Sequence, residues 1–106
     1  MQKKDLYYAD LYEVYGAILS EKQREVADQY FCCDFSLGEI AENAGMTKQA
    51  ASDAVRKTRQ KLDELENKLH VCRIRTVCAR AAALLASGGE TAVKEAEALL
   101  TSIAEG

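Results

Sequence analysis

Between Lys48 and Lys61 the chain places Lys48, Gln49, Ser52, Arg56, Lys57, Arg59 and Lys61 around a single acid, Asp53. Ammonium and guanidinium groups at this density neutralise phosphates. A lysine beside a glutamine can also read base edges, since Lys addresses guanine and Gln pairs with adenine. Asp53 is the discordant member. It must accept from a cytosine amino group, pair with Arg56 or Lys57, or stand near a partner that is not a nucleic acid. Positive charge is densest in this block, where residues 47–61 carry a local +4 in a chain whose net charge is -3. That sign contrast points to a contact with a polyanion.

Other chemistry is scarce. His70 is the only histidine, no Gly-rich phosphate loop occurs, and no nucleophile stands beside a base. The acids Glu64 and Glu66 fall on different sides of a helix and read as solvated surface. We expect no catalytic residue and no cofactor. Cys32, Cys33, Cys72 and Cys78 lack the spacing of metal ligands, so no metal site is expected. They read as small, buried apolar side chains kept reduced. No run of about 18 apolar residues occurs and the N-terminal stretch carries acids, so neither a membrane span nor a signal peptide is expected. The expected compartment is the cytoplasm.

The elements that must position the basic block are helices. The 106 residues include no Pro, the strongest helix breaker. Leu6, Tyr7, Leu11, Val14, Tyr15, Ile18 and Leu19 recur at helical spacing and predict a first helix over about 3–19. Its tyrosines at 7, 8, 12 and 15 could stack on bases, but such a stripe more often serves a core or an interface. Ser20 and Gln23 form a capping box that starts a second helix at Glu21, ending near Cys33. Ser36 and Glu39 form another, opening a short third helix over 37–44 that stops at Gly45. Thr47 caps the next helix.

Two helices joined by about three residues with a Gly at the bend make a helix-turn-helix, here over about 36–58. Ala41 allows a close crossing, and Ile40, Ala44, Met46, Ala51 and Val55 are its expected shared core. The fourth helix then runs on. Ala51, Val55, Thr58, Leu62, Leu65, Leu69 and Cys72 alternate spacings of four and three, a coiled-coil-like seam. Helical character persists to Ala86, so an unbroken helix would be about 58 Å long; a break near His70 to Arg73 is the alternative. Ser87-Gly88-Gly89 is a firm breaker, and a last helix follows over 90–104.

The fold class is therefore all-α. We expect a sigma region-four-like helix-turn-helix domain over 1–70, its long recognition helix continuing into a C-terminal helical extension over 71–106. In such a fold the start of the second helix faces base edges. That assigns Lys48, Gln49, Ser52 and Arg56 to reading, and Lys57, Arg59 and Lys61 to phosphates. The seam Val55, Leu62, Leu65 and Leu69 is expected to need cover from a second copy, giving a homodimer. The alternative is that the last helix covers it within one chain. Two fully basic arms would neutralise about eight phosphates, losing roughly 10⁴-fold in affinity between 50 and 200 mM salt.

The stretch LSEKQREVADQYFCCDFSLGEIAENAGMTKQA resembles region four of bacterial sigma factors. More closely, residues 5–70 are similar to the YlxM-like family of small bacterial helix-turn-helix proteins. The cues are Y-x-x-L-Y-E-V-Y-G-A-I-L-S-E-K-Q, then Y-F-C-C-D-F-S-L-G-E-I-A-E, K-Q-A-A-S-D and K-L-D-E-L-E-N-K-L. The resemblance implies an all-helical dimer with a regulatory role beside the signal recognition particle, binding its RNA, its GTPase or both. Ala51 and Ser52 depart from the β-branched and aromatic residues expected there. Residues after 75 match nothing in the family pattern. Sequence-specific DNA binding and a plain oligomeric scaffold remain the alternatives.

Overall fold

The computed structural model describes residues 3–106, with side chains from Leu6 onward. Six α-helices follow in order: α1 Lys3–Tyr15, α2 Glu21–Ala27, α3 Leu37–Ala44, α4 Lys48–Leu69, α5 Val71–Ser87 and α6 Glu90–Ala104. No strand occurs among the described residues, and the fold is all-α. The helices divide into two compact units, one through Leu69 and the other His70–Gly106.

In the first unit the caps fall where their residue types place them. The Ser20 hydroxyl accepts from the Gln23 amide at 3.1 Å, and the Gln23 side chain accepts from the Ser20 amide at 3.2 Å. Ser36 and Glu39 repeat the exchange, both at 3.1 Å. Each pair satisfies two amide donors that a helix start would leave bare, stabilising the helix by about 1 kcal/mol. The first helix is shorter than its apolar periodicity predicts, because a 3₁₀ turn over Gly16–Ile18 tightens its end. After Ala27 the second helix widens into a π turn over Asp28–Cys32, closed by the Cys33 amide donating to the Asp28 carbonyl at 2.9 Å. That turn carries Phe31 fully into the core.

α1, α2 and α3 all pack on α4. Between them lie Leu11, Tyr15, Leu19, Val26, Phe31, Ile40, Ala51, Val55 and Leu62, all buried. Thr58 is buried too, and its hydroxyl donates to the Ala54 carbonyl at 2.8 Å, which removes the cost of an unpaired polar group. The α1 stripe is thus divided. Leu11, Tyr15 and Leu19 face in, whereas Leu6, Tyr7 and Ile18 are about half exposed. Ala44, expected in the shared core, is exposed, because α3 turns only Ile40 and Ala41 toward α4.

The cysteines also depart from the buried reading. Cys32, Cys33 and Cys78 are exposed free thiols, and Cys72 is partly covered. The Cys32 thiol is pushed up by partial burial, then by Asp28 beside it.

The fourth helix ends at Leu69. His70 takes a left-handed backbone, φ 56° and ψ 21°, and the helical hydrogen bonding resumes from it at Val71. A left-handed non-glycine residue costs about 1–2 kcal/mol. No Gly or Pro announces it, so periodicity alone carries straight through the break.

The second unit is a helical hairpin. Gly88 and Gly89 both have positive φ, 75° and 95°, which lets two residues reverse the chain. Ala81 on α5 and Ala96 on α6 are its buried residues, with Val77, Leu84 and Leu99 partly covered around them.

Candidate nucleic-acid interface

Gly45 decides the angle between α3 and α4. Its φ of 65° and ψ of 35° lie in the left-handed region, and the Met46 amide returns to the Ala41 carbonyl at 2.9 Å. This closes α3 in a Schellman-like turn. Two residues later the Thr47 hydroxyl accepts from the Ala50 amide at 3.0 Å and opens α4. The arrangement is a helix-turn-helix in which Ala41, Ala51 and Val55 are buried at the crossing. α4 is the recognition helix, and its core face points away from the start of its basic block.

Lys48 and Gln49 are exposed in the first turn of α4, and Ser52 is partly covered one turn on. Arg56 and Lys57 are 57% and 64% exposed, so their charges face water. Both bind Asp53: the Arg56 guanidinium donates to Oδ1, and Lys57 Nζ lies 3.2 Å from Oδ2. These hydrogen bonds, from Arg56 first and Lys57 second, hold the Asp53 carboxyl below the usual range. Of the three roles open to Asp53, the structure selects the intrahelical pair. The cluster carries a net single positive charge, and its cations are pre-aligned along the helix rather than freely splayed.

Arg59 is placed elsewhere. Its guanidinium carbon sits 5.4 Å from the Tyr8 ring, 5.4 Å from Tyr30 and 5.6 Å from Phe31. Tyr8 stacks on Phe31 at 5.5 Å and Tyr30 meets it edge-on at 5.3 Å, so the rings form a cage. Cation–π attraction in a partly desolvated cage is worth about 0.5–2 kcal/mol per good contact. The residue ties α1 and the π turn to α4 and does not project toward a ligand. Lys61 is partly covered. The cations left for a ligand are therefore the exposed Lys48, Arg56 and Lys57 and the partly covered Lys61, tempered by Asp53. The aromatic signal was legible in the tyrosine stripe, but only the packing shows that the stripe takes up an arginine of the basic block.

Two further α4 side chains, both acids, are structural. Tyr8 donates to Asp63 Oδ2 at 2.8 Å, and partial burial followed by that bond raises the Tyr8 hydroxyl to about 12. Tyr15 donates to Glu66 Oε1. Glu66 is thus no solvated surface acid, whereas Glu64 is exposed and pairs with Lys68 at 3.0 Å. The seam shares this fate. Val55 and Leu62 lie inside the unit, buried under its own helices. Leu65 is partly covered and Leu69 is 47% exposed.

The family model described as "Putative helix-turn-helix protein, YlxM / p13 like" (UPF0122) matches residues 2–85. The chain belongs to this family. Curated UPF0122 proteins are similar to it. One from Caldanaerobacter subterraneus subsp. tengcongensis is 39% identical over 69 residues, 65% of this chain and 59% of that protein. Others from Streptococcus gordonii and Streptococcus pneumoniae are 41% identical over 61 residues, 58% of this chain and 56% of theirs. The chain thus spans less than two thirds of the length of these relatives. The family match takes in the whole first unit from residue 2 and most of α5, and it stops before α6. Among the described residues no three potential ligands gather as a metal site, and no helix is long and apolar enough to cross a membrane.

Proposed function

We propose that this chain is a non-enzymatic, cytoplasmic helix-turn-helix accessory or regulatory protein of the signal recognition particle pathway, contacting the particle's RNA and, through it or directly, its GTPase. The observation that carries the reading is the shape of the cationic surface on α4. It is small, holds Asp53 at its centre, and adjoins α3, where Glu39 and Glu42 are exposed and no base is present. In a duplex-binding helix-turn-helix the first helix crosses the phosphate backbone. Acids on that helix oppose a long duplex track, whereas a compact patch suits a few phosphates held in one place by a folded RNA. The resemblance to the YlxM-like family supplies the particle; the patch supplies the chemistry.

Sequence-specific DNA binding is the second reading. Lys48 and Gln49, exposed at the start of α4, favour it, because they stand where a recognition helix meets base edges.

Fluorescence anisotropy against signal recognition particle RNA and random duplex DNA, over a salt series, separates the two. Three net exposed charges predict a log–log salt slope near -3 per docked copy on duplex, a roughly 40-fold loss from 50 to 200 mM. RNA binding that persists at about 150 mM salt while duplex binding falls away supports the proposal. Equal, steeply salt-dependent binding to both, or no binding to the RNA, overturns it.

A further inference from the structure

α2 and α4 do not meet flush. Between them, beside the turn that joins α3 to α4, lies a cleft of about 350 Å³, at the small end of the sites that hold small molecules. Its floor is apolar. Val26 and Thr58 are buried there, and Met46 from the turn is partly covered beside them. The Thr58 hydroxyl already donates to the Ala54 carbonyl at 2.8 Å, so it brings no open polar group. Ala50 and Ala54 lie one turn apart on α4 and are too short to reach across to α2, so the space between the helices stays open.

The rim of the cleft is rich in donors. Lys22 lines it and has no ion-pair partner among the described residues. The side-chain oxygen of Gln23 accepts from the Ser20 amide at 3.2 Å, which leaves the Gln23 NH2 to donate. The Ser20 hydroxyl accepts from the Gln23 amide and keeps its own proton to give. Asp53 is the one acid of the lining, and each of its oxygens already meets a cation, Arg56 or Lys57. Lys22 and Lys57 against Asp53 leave a net single positive charge. Glu21 and Glu25, the acids of α2, line the neighbouring cleft toward α3 instead. Donors over an apolar floor suit a ligand with an apolar body and an anionic, acceptor-rich head. A splayed nucleobase suits the cleft less, because no aromatic ring lines it to stack on the base.

We propose that this cleft binds a small amphipathic anion, such as an aromatic or branched aliphatic carboxylate, with its head on Lys22 and the Gln23 amide and its body on Val26, Met46 and Ala54. Lys57 borders both the cleft and the cationic patch of α4, so a bound anion and a phosphate draw on the same charge. The inference rests on the cleft alone and holds whichever nucleic acid α4 contacts.

Fluorescence titration of the full chain with anilinonaphthalene sulfonate, an aromatic body with a single anionic head, tests it with no nucleic acid present. Saturable binding of one probe per chain is expected, and weaker binding of the uncharged phenylnaphthylamine. Lys22→Glu should weaken the sulfonate probe about fivefold or more. Ala50→Leu, which fills the cleft, should weaken it about tenfold or more. Both positions are exposed, so denaturant unfolding should be nearly unchanged. Leu85→Glu with Leu100→Glu removes half-exposed leucines of the hairpin, the other place where an aromatic probe could settle, and should leave the titration as in the wild type. Absence of saturable binding overturns the proposal. So does a titration that neither cleft variant alters, equal binding of the charged and uncharged probes, or binding lost in the hairpin variant alone.

Discussion

The two units contain similar helices and end up with different interiors. In the first, α4 is contacted by three helices, so its covered arc includes Ala51, Val55, Thr58 and Leu62, and large side chains such as Tyr15, Phe31 and Leu11 close over it. In the second, α5 packs on α6, and Ala81 and Ala96 are the residues this hairpin buries. Two cylinders touch along one line, which covers one narrow stripe on each; a helix needs neighbours on two or more sides to hide an arc of about 100° or more. An apolar periodicity therefore announces a face that wants cover, and the number of neighbouring helices decides whether it becomes core or surface.

The largest test of that contrast pairs one leucine from each unit. Leu62→Ala should destabilise the chain by about 2–5 kcal/mol, because Leu62 is fully buried and its removal leaves a cavity. Leu85→Ala, half exposed, should cost well under about 1 kcal/mol. Denaturant unfolding of both variants makes the comparison, and equal losses would break it.

A smaller effect separates two arginines only three residues apart. Arg59→Ala should lower stability by about 1–2 kcal/mol through the lost contacts with Tyr8, Tyr30 and Phe31. Arg56→Ala should scarcely affect unfolding, because its partner is an exposed carboxylate on the same helix. In anisotropy the order reverses. Lys48→Ala should flatten the salt slope by about one unit, whereas Arg59→Ala should leave the slope of the folded protein unchanged.

The smallest expected effect is confined to alkaline pH. Tyr8 is raised from 10.0 to about 12 in the folded chain, by partial burial first and the Asp63 bond second. The unfolded chain would ionise this hydroxyl first. Its contribution is therefore fully present below pH 10.0 and is lost as pH rises through about 12. Tyr8→Phe should flatten the stability profile across that window and remove a late-ionising tyrosine from the ultraviolet titration, in which Tyr12, also raised by partial burial and then by Asp28, ionises late as well. A tyrosine spectrum that titrates wholly near pH 10 would contradict the bond to Asp63.

Much of the first unit was legible in the sequence because its signals are local. A Ser with Gln or Glu three residues on caps a helix by reaching its own neighbours, and Gly45 takes the left-handed backbone that other residues pay to adopt. The helix-turn-helix and the basic face of α4 follow from such features. The extent of α1, the exposure of Ala44 and three of the cysteines, and the break at His70 did not. Each depends on what lies opposite, and His70 carries no residue-type signal for a left-handed turn.

The sequence by itself determined the helical class, the caps, the turn at Gly45 and the concentration of positive charge, a local +4, over residues 47–61, because propensity, capping and charge belong to single residues and their near neighbours. Only the tertiary structure decided which of those charges is withdrawn from the surface: Arg59 sits in an aromatic cage while Lys48 is left exposed. It likewise decided that Val55 and Leu62 are core while Leu85 and Leu100 are surface. The physical reason is one and the same: a side chain's role depends on which groups packing brings within a few ångströms of it, and those groups come from distant parts of the chain.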